Sequence, residues 1–459
     1  MNAQKPYWDE EMEAALPVLQ KLENAGFEAV FVGGCVRDVI AGRPITDVDI
    51  ATSATPDAVM VLFDRTVPTG LQHGTVTVIV NERTYEVTTY RSEAEYEDHR
   101  RPAGVAFIAE LEGDLLRRDF TINAMALRAD GTLVDLYGGL SDLHAGIIRC
   151  VGDADERFSE DALRMVRAVR FASTFGYAIA PSAWRALLRN RELLQHVAME
   201  RIGAELDKMI GGAGPHRAAA LLAASGLLAR AKEPLPAGFA QPGCGSRQRP
   251  ALRSGRGAGG AGGVPPLSSA LARLQGKDDR WAAVFLALRL SPEDAEETLQ
   301  RLRFPGRRIA SARSAVKLHD AAAPLAASSG AAATPAAAAA WVDAVLAAGV
   351  ETASAWLRIT REFAASGAQI GGLPLSEAAL DALAAQLAGM PCTAIRELAV
   401  NGNILCSHLG LKPGPRTGAL LNGLLRSVAL RETPNEREAL LALAEFMEED
   451  RMNDGPYTS

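Results

Sequence analysis

Two consecutive glycines, Gly33 and Gly34, end the apolar run Ala29-Val30-Phe31-Val32 and open residues 35–41, which read as a short helix. A strand that turns through glycine into a helix lets the backbone approach a ligand, and it aims the first helical N–H groups at that ligand. Arg37, on the first turn, adds a fork of donors suited to an anion. A short way on comes Ile45-Thr46-Asp47-Val48-Asp49-Ile50-Ala51, which alternates as a strand does. Side chains two apart on a strand share a face. Asp47 and Asp49 therefore point the same way, and two adjacent anions call for a cation. Mg²⁺ is the simplest, since it takes one or two carboxylates together with substrate phosphates.

Each half of this pattern is common alone. A lone D-x-D pair often caps a turn, and a lone Gly-Gly is often a plain tight turn. At this spacing the two make a phosphate cradle beside a metal clamp. Val76-Thr77-Val78-Ile79-Val80 and Tyr85-Glu86-Val87-Thr88-Thr89-Tyr90 flank Asn81-Glu82-Arg83 and read as a hairpin. That hairpin carries Glu86, a candidate third carboxylate: a general base, a further metal ligand, or an exposed strand glutamate. His73, before Gly74, reads as a turn residue.

The pattern Gly33-Gly34-x-x-Arg37-Asp38 with Asp47-x-Asp49 resembles the catalytic core of the DNA polymerase beta nucleotidyltransferase superfamily. Three further segments narrow the resemblance to the class II tRNA nucleotidyltransferases, which include CCA-adding enzymes and bacterial poly(A) polymerases. They are His73-Gly74-Thr75-Val76-Thr77-Val78, Arg117-Arg118-Asp119-Phe120-Thr121-Ile122-Asn123-Ala124 and Glu160-Asp161-Ala162-Leu163-Arg164. The likeness is dense over residues 25–210 and thinner towards the C-terminus. It implies an α/β nucleotidyltransferase head with a DNA polymerase beta-like mixed sheet, followed by an all-α neck, body and tail. It implies template-independent addition of CCA to the 3′ end of tRNA from CTP and ATP, with Mg²⁺ held by Asp47 and Asp49 in a two-metal transfer. Gly34, Arg37 and Arg118 would contact the triphosphate, with Arg167 and Arg170 at further nucleotide-binding positions. An A-adding or CC-adding enzyme, a poly(A) polymerase, or a catalytically silent RNA-binding module remain alternatives.

Residue types bear on base choice. Cytosine and adenine each offer a ring-nitrogen acceptor beside an amino donor; uracil and guanine offer a ring N–H beside a carbonyl. Arginine only donates and ionised aspartate only accepts. One Asp–Arg pair therefore accepts C and A and leaves buried groups unpaired against U and G. The resemblance gives this role to Asp161 and Arg164. After Ser159 the residues Ala162, Met165, Val166 and Val169 form a helical apolar stripe. Asp161, Arg164, Arg167 and Arg170 lie off it, where Glu160 and Arg164 also read as an i, i+4 ion pair.

The chain has 459 residues and a net charge of −7, so RNA binding has to rest on a local basic face rather than overall charge. Five cysteines, Cys35, Cys150, Cys244, Cys392 and Cys406, lack C-x-x-C spacing and read as reduced thiols of a cytoplasmic protein. Residues 1–13 lack an apolar signal region, and no run reads as a membrane span. His319-Asp320 lacks the companions of a metal phosphohydrolase dyad. The expected state is a monomer or homodimer.

Texture divides the chain into a mixed α/β part (1–150), a helical part (151–235), a flexible Gly/Pro/Arg-rich insertion (236–266) and further helical parts (267–375 and 376–459). The resemblance implies that these are the head, a neck with the nucleotide-selecting helix, the insertion, the body and a tRNA-gripping tail. Residues 16–26 read as the first helix. The low-complexity core of the insertion spans 241–266, and residues 321–340 read as a helix-prone, alanine-rich linker or loose helix. Tyr96-Glu97-Asp98-His99-Arg100-Arg101-Pro102 resembles the loop that helps CCA-adding enzymes switch from C to A. Val400-Asn401-Gly402, Gly414-Pro415 and Pro434-Asn435-Glu436 resemble the family's tail.

Overall fold

A computed structural model describes residues 9–93, 96–97, 101–102, 105–240, 269–327, 334–370 and 375–453. The insertion at 241–266, with Cys244, lies outside the described residues, as do residues 98–100 of the loop, 328–333 of the alanine-rich stretch and 1–8. The chain forms two compact units, Met1–Leu235 and Pro236–Ser459.

The first unit opens with α1, Glu10–Asn24, which starts earlier than the sequence pattern predicts. The reason is Asp9, whose carboxylate accepts from the backbone N–H of Glu11 and Met12 at 3.1 and 3.2 Å and caps the helix. Met12, Ala15, Val18, Leu19 and Leu22 form its buried face. Then follow β1 (Ala29–Val32), α2 (Gly34–Ile40), β2 (Asp49–Thr52), α3 (Pro56–Leu62), β3 (Thr66–Gly70), β4 (Thr75–Val80), β5 (Arg83–Thr89) and, further on, α4 (Leu111–Leu116).

Among the described residues, seven strands join in one mixed sheet. Its order is Leu133–Val134, Ala126–Leu127, β1, β2, β5, β4, β3. β1 is buried throughout, as an unbroken apolar run requires of a central strand. β2 lies antiparallel to β1 and parallel to β5. The predicted hairpin forms with Val80 opposite Arg83, and its two turn residues, Asn81 and Glu82, take φ of 50° and 60°. Two consecutive positive φ values are what a type I′ hairpin turn needs, and asparagine tolerates the first well. The strands Tyr96–Glu97 and Arg101–Pro102 pair antiparallel.

Beyond residue 153 the first unit is almost wholly helical apart from Ala178–Ile179, which pairs in parallel with Ile147–Ile148. The apolar stripe Ala162, Met165, Val166 and Val169 is fully buried.

The described part of the second unit is helical, around the buried Trp281, Trp341 and Trp356. Within residues 321–340, 321–326 and 335–340 are helical. Pro324 lies inside the helix Gly306–Ala326, and Pro335 opens Pro335–Ala348, where its missing N–H costs no helical bond. His319 is a core residue: its Nδ1 accepts from the Trp356 indole N–H at 3.0 Å, and burial pushes its pKa down to about 4. In the tail, Asn401 caps Gly402–Leu409 through a 3.0 Å bond from Ile404 N, and Pro415 opens Pro415–Ala429. Asn435 ties two loop segments, accepting from Ala399 N at 2.8 Å and donating to Glu397 O at 2.9 Å. Among the described residues, no single helix is long and apolar enough to cross a membrane.

Candidate active site

Gly33 joins β1 to α2 with φ +75° and ψ −125°, a conformation open to glycine and costly for other residues. Space imposes the same choice. A Cβ built on Gly33 would lie 3.0 Å from Arg118 Nη1 and 3.7 Å from Asp49 Oδ2. Arg118 and Asp49 therefore converge over the glycine turn.

Asp49 is the first residue of β2, and its Cα partner on β5 is Glu86. The strand starts later than the alternation predicts, because residues 43–48 are irregular and only Asp49 begins the ladder. Val48 is buried between an exposed Asp47 and a half-buried Asp49. Burial, then the charges of Glu86 and Asp47, hold the Asp49 carboxyl above its ordinary 3.8, against the opposing pull of Arg118. This set of hard oxygen donors repels itself, and a divalent cation relieves the repulsion. Among the described residues, no three His, Cys, Asp or Glu side chains make a ready metal cage. Mg²⁺ is usually completed by water and substrate phosphate rather than by an all-protein cage, so two carboxylates are a donor number it accepts.

Arg118 is anchored from behind. Its Nη2 donates to Asp114 at 3.0 Å and its Nη1 to Asn123 O at 3.5 Å, while its buried Nε has no hydrogen-bond partner. Arg117 grips the other oxygen of Asp114 at 3.0 and 2.7 Å. Asp114 is fully buried on α4; burial alone would raise its pKa, but the charges of Arg118 and Arg117 hold it below 3.8.

Arg37 is held by protein partners. Its Nε and Nη2 bond both oxygens of Asp38 at 3.0 and 2.6 Å, and its Nη1 bonds Asn123 Oδ1 at 2.5 Å. The guanidinium is buried with the faces of Phe171 and Phe175, 5.4 and 4.7 Å from the ring centroids. The three hydrogen bonds brace α2 and use three of the five guanidinium N–H groups. Gly34 opens α2 beside it; a Cβ there would lie 3.7 Å from Arg37 Nη2.

The expected continuous helix after Ser159 breaks. One helix ends at Glu160, Asp161 is extended with φ −137° and ψ 101°, and the next runs Leu163–Phe175. Asp161 makes the break by accepting from Leu163 N at 3.1 Å. Its carboxylate pairs with Arg201 at 2.7 and 3.3 Å rather than with Arg164. Arg164, which is buried, bonds Glu160 Oε2 at 2.5 Å and the Arg117 carbonyl at 2.8 Å. The Glu160–Arg164 pair of the alternative reading thus forms. Arg167 is paired with Asp119 at 2.8 Å and lies 3.6 Å from Glu205, and Arg170 bonds Glu205 at 2.5 Å. Arg167 and Arg170 flank Phe171, with centroid distances of 5.3 and 3.9 Å. Asn123 links this group to the head by donating to Asp119 at 2.9 Å while accepting from Arg37.

Comparison with known proteins places this geometry. Residues 29–149 match the Poly A polymerase head domain, 176–234 the RNA and SrmB-binding site of polymerase A, and 272–444 the tRNA nucleotidyltransferase domain 2. The CCA-adding enzyme of Geobacillus thermodenitrificans is 38% identical over 431 residues, 94% of this chain and 96% of that one. That of Geobacillus stearothermophilus is 37% identical over 447 residues, 96% and 98% of the two chains. The chain belongs to the CCA-adding enzyme family of tRNA nucleotidyltransferases. The crystal structure of the Bacillus stearothermophilus CCA-adding enzyme in complex with CTP matches at TM-score 0.76 and 33% identity, covering 98% of this chain and 100% of that one. The Thermotoga maritima CCA-adding enzyme complexed with tRNA shares the fold at TM-score 0.60 and 18% identity, over 96% and 97% of the chains.

Three residues outside the quoted motifs hold side chains that the motifs contain: Asp114, Arg201 and Glu205. Only Asp114 had a visible signal, its i, i+3 and i, i+4 spacing to Arg117 and Arg118. Arg201 and Glu205 reach their partners across 40 and 35 residues of sequence.

Proposed function

We propose that the protein adds C, C and A in turn to the 3′ end of tRNA, using CTP and ATP and no nucleic-acid template. The convergence of Asp49 and Arg118 on Gly33, with Glu86 level with Asp49, carries the proposal. Asp47 and Asp49 would hold Mg²⁺, which when bound polarises the α-phosphate and stabilises the developing oxygen charges. The glycine turn leaves room for the triphosphate, and Arg118 donates to it from an anchored position. Glu86, exposed beside Asp49, takes the proton of the acceptor 3′-hydroxyl. The hydroxyl oxygen bonds the α-phosphorus as the bond to the bridging oxygen breaks, and pyrophosphate leaves.

Base choice rests on Asp161 and Arg164. An ionised carboxylate offers about four acceptor sites. Asp161 accepts from Arg201 and Leu163 N, which leaves room for an amino group of cytosine or adenine. The Arg164 guanidinium is oriented by Glu160 and by the Arg117 carbonyl, next in sequence to Arg118. The helical second unit would hold the tRNA by backbone and shape contacts.

The test uses tRNA ending at the position before CCA, after the first C and after the second C. CTP alone should extend the first two by C, and ATP alone should extend only the third, by a single A. Runs of A on any end, or no incorporation of C, would overturn the proposal.

A further inference from the structure

Arg201 lies on the helix Met199–Gly211, outside the sequence motif that contains Asp161. Its two terminal nitrogens reach the two oxygens of Asp161, Nη2 to Oδ2 at 2.7 Å and Nη1 to Oδ1 at 3.3 Å. This fork-on-fork geometry fixes a carboxylate in plane as well as in place, which a lysine cannot do. Asp161 needs such support because it sits at a helix break, where Leu163 N is its remaining hydrogen-bond donor. Arg164 is oriented separately, by Glu160 and the Arg117 carbonyl. The side chains of the base-reading pair thus have different charged partners, Arg201 for Asp161 and Glu160 for Arg164.

We propose that Arg201 is a positioning residue for base choice: it clamps Asp161 so that a carboxylate lone pair is aimed at the amino group of the base. The inference rests on the base-reading role of Asp161 proposed above. A clamped carboxylate accepts from the amino group of C or A. A carboxylate freed to rotate turns its acceptor oxygens away from that amino group, so C and A lose their advantage over U and G. Arg201 touches no nucleotide in this scheme; it acts through Asp161.

The experiment is a double-mutant cycle on the full chain, with Asp161→Ala, Arg201→Gln, the double variant and Arg201→Lys. The readout is the ratio of kcat/KM for CTP over UTP on tRNA lacking its end, with tRNA Kd and Tm measured alongside. Arg201→Gln should lower the ratio at least about tenfold with tRNA Kd unchanged. Arg201→Lys should recover it in part, and Arg201→Gln should add nothing in the Asp161→Ala background. A full ratio in Arg201→Gln, with Asp161→Ala impaired, overturns the clamp and leaves the base-reading pair standing. An additive loss in the double variant also overturns it. A full ratio in Asp161→Ala overturns both. If Arg201→Gln fails to fold, the lysine variant decides: an intermediate ratio supports the clamp, and a wild-type ratio contradicts it.

Discussion

Glu86 on β5 lies directly beside Asp49 on β2, the two strands running parallel in the middle of the sheet. Residues separated by a hairpin in sequence thereby become adjacent acids. The cost of this arrangement shows in the raised pKa of Asp49, driven by burial and then by Glu86. A fold that holds like charges together at the end of a buried strand is arranged for a cation and a charged substrate.

Gly33→Ala should cripple the enzyme while leaving the fold intact. The φ of +75° strains any residue with a Cβ by about 1–2 kcal/mol. The new methyl also meets Arg118 Nη1 at 3.0 Å, so the arginine must move off the triphosphate position. Steady-state kinetics should show kcat/KM down at least about tenfold, with a circular dichroism spectrum like that of the wild type.

Asp114→Ala should damage stability and activity together. It strands two arginines that a fully buried carboxylate neutralised, a change that typically costs about 3–5 kcal/mol. Denaturant unfolding measures the loss, and incorporation assays should show that Arg118 no longer works. Glu86→Gln, at an exposed position, should leave stability unchanged and lower kcat.

Acid should destabilise the head through Asp114 and Asp119. Burial works to raise both carboxyls, but Arg118 and Arg117 hold Asp114 below 3.8, and Arg167 and Asn123 do the same for Asp119. A depressed folded-state value contributes stability that is complete above the ordinary value and disappears as pH falls through the folded one. A Tm profile from about pH 7 to about pH 2 should therefore drop on its acid side. Asp119→Asn should flatten that part of the drop.

His319→Ala should weaken the helical unit and spare the chemistry. It leaves the buried Trp356 N–H without its acceptor, worth about 1–3 kcal/mol. Because the folded His319 titrates near 4 against an ordinary 6.5, its stabilisation is present above pH 6.5 and fades as pH falls towards 4. Incorporation per folded molecule should be unchanged, as expected for a core histidine and not for a metal dyad.

The legible parts of the molecule were those set by local rules. The glycine turn, the Asn81-Glu82 hairpin and the stripe Ala162, Met165, Val166 and Val169 follow from φ preferences and periodicity, and all are present. The start of α1 and the break at Asp161 depended on single capping bonds, which periodicity cannot see. Arg37 shows the larger limit. Its place on the first helical turn is readable, but its direction is set by Asn123, Phe171 and Phe175, far away in sequence. Arginine partners are chosen by tertiary neighbours, so Arg167 and Arg170 were visible as cations while Glu205 was not.

The most direct measurement is incorporation of labelled CTP into end-trimmed tRNA by Asp47→Ala, with tRNA Kd determined on the same preparation. Asp47 is exposed, so its loss should leave the fold and tRNA binding unchanged. Incorporation should fall to background while Kd stays at the wild-type value; undiminished incorporation would contradict a reaction carried by this carboxylate cluster.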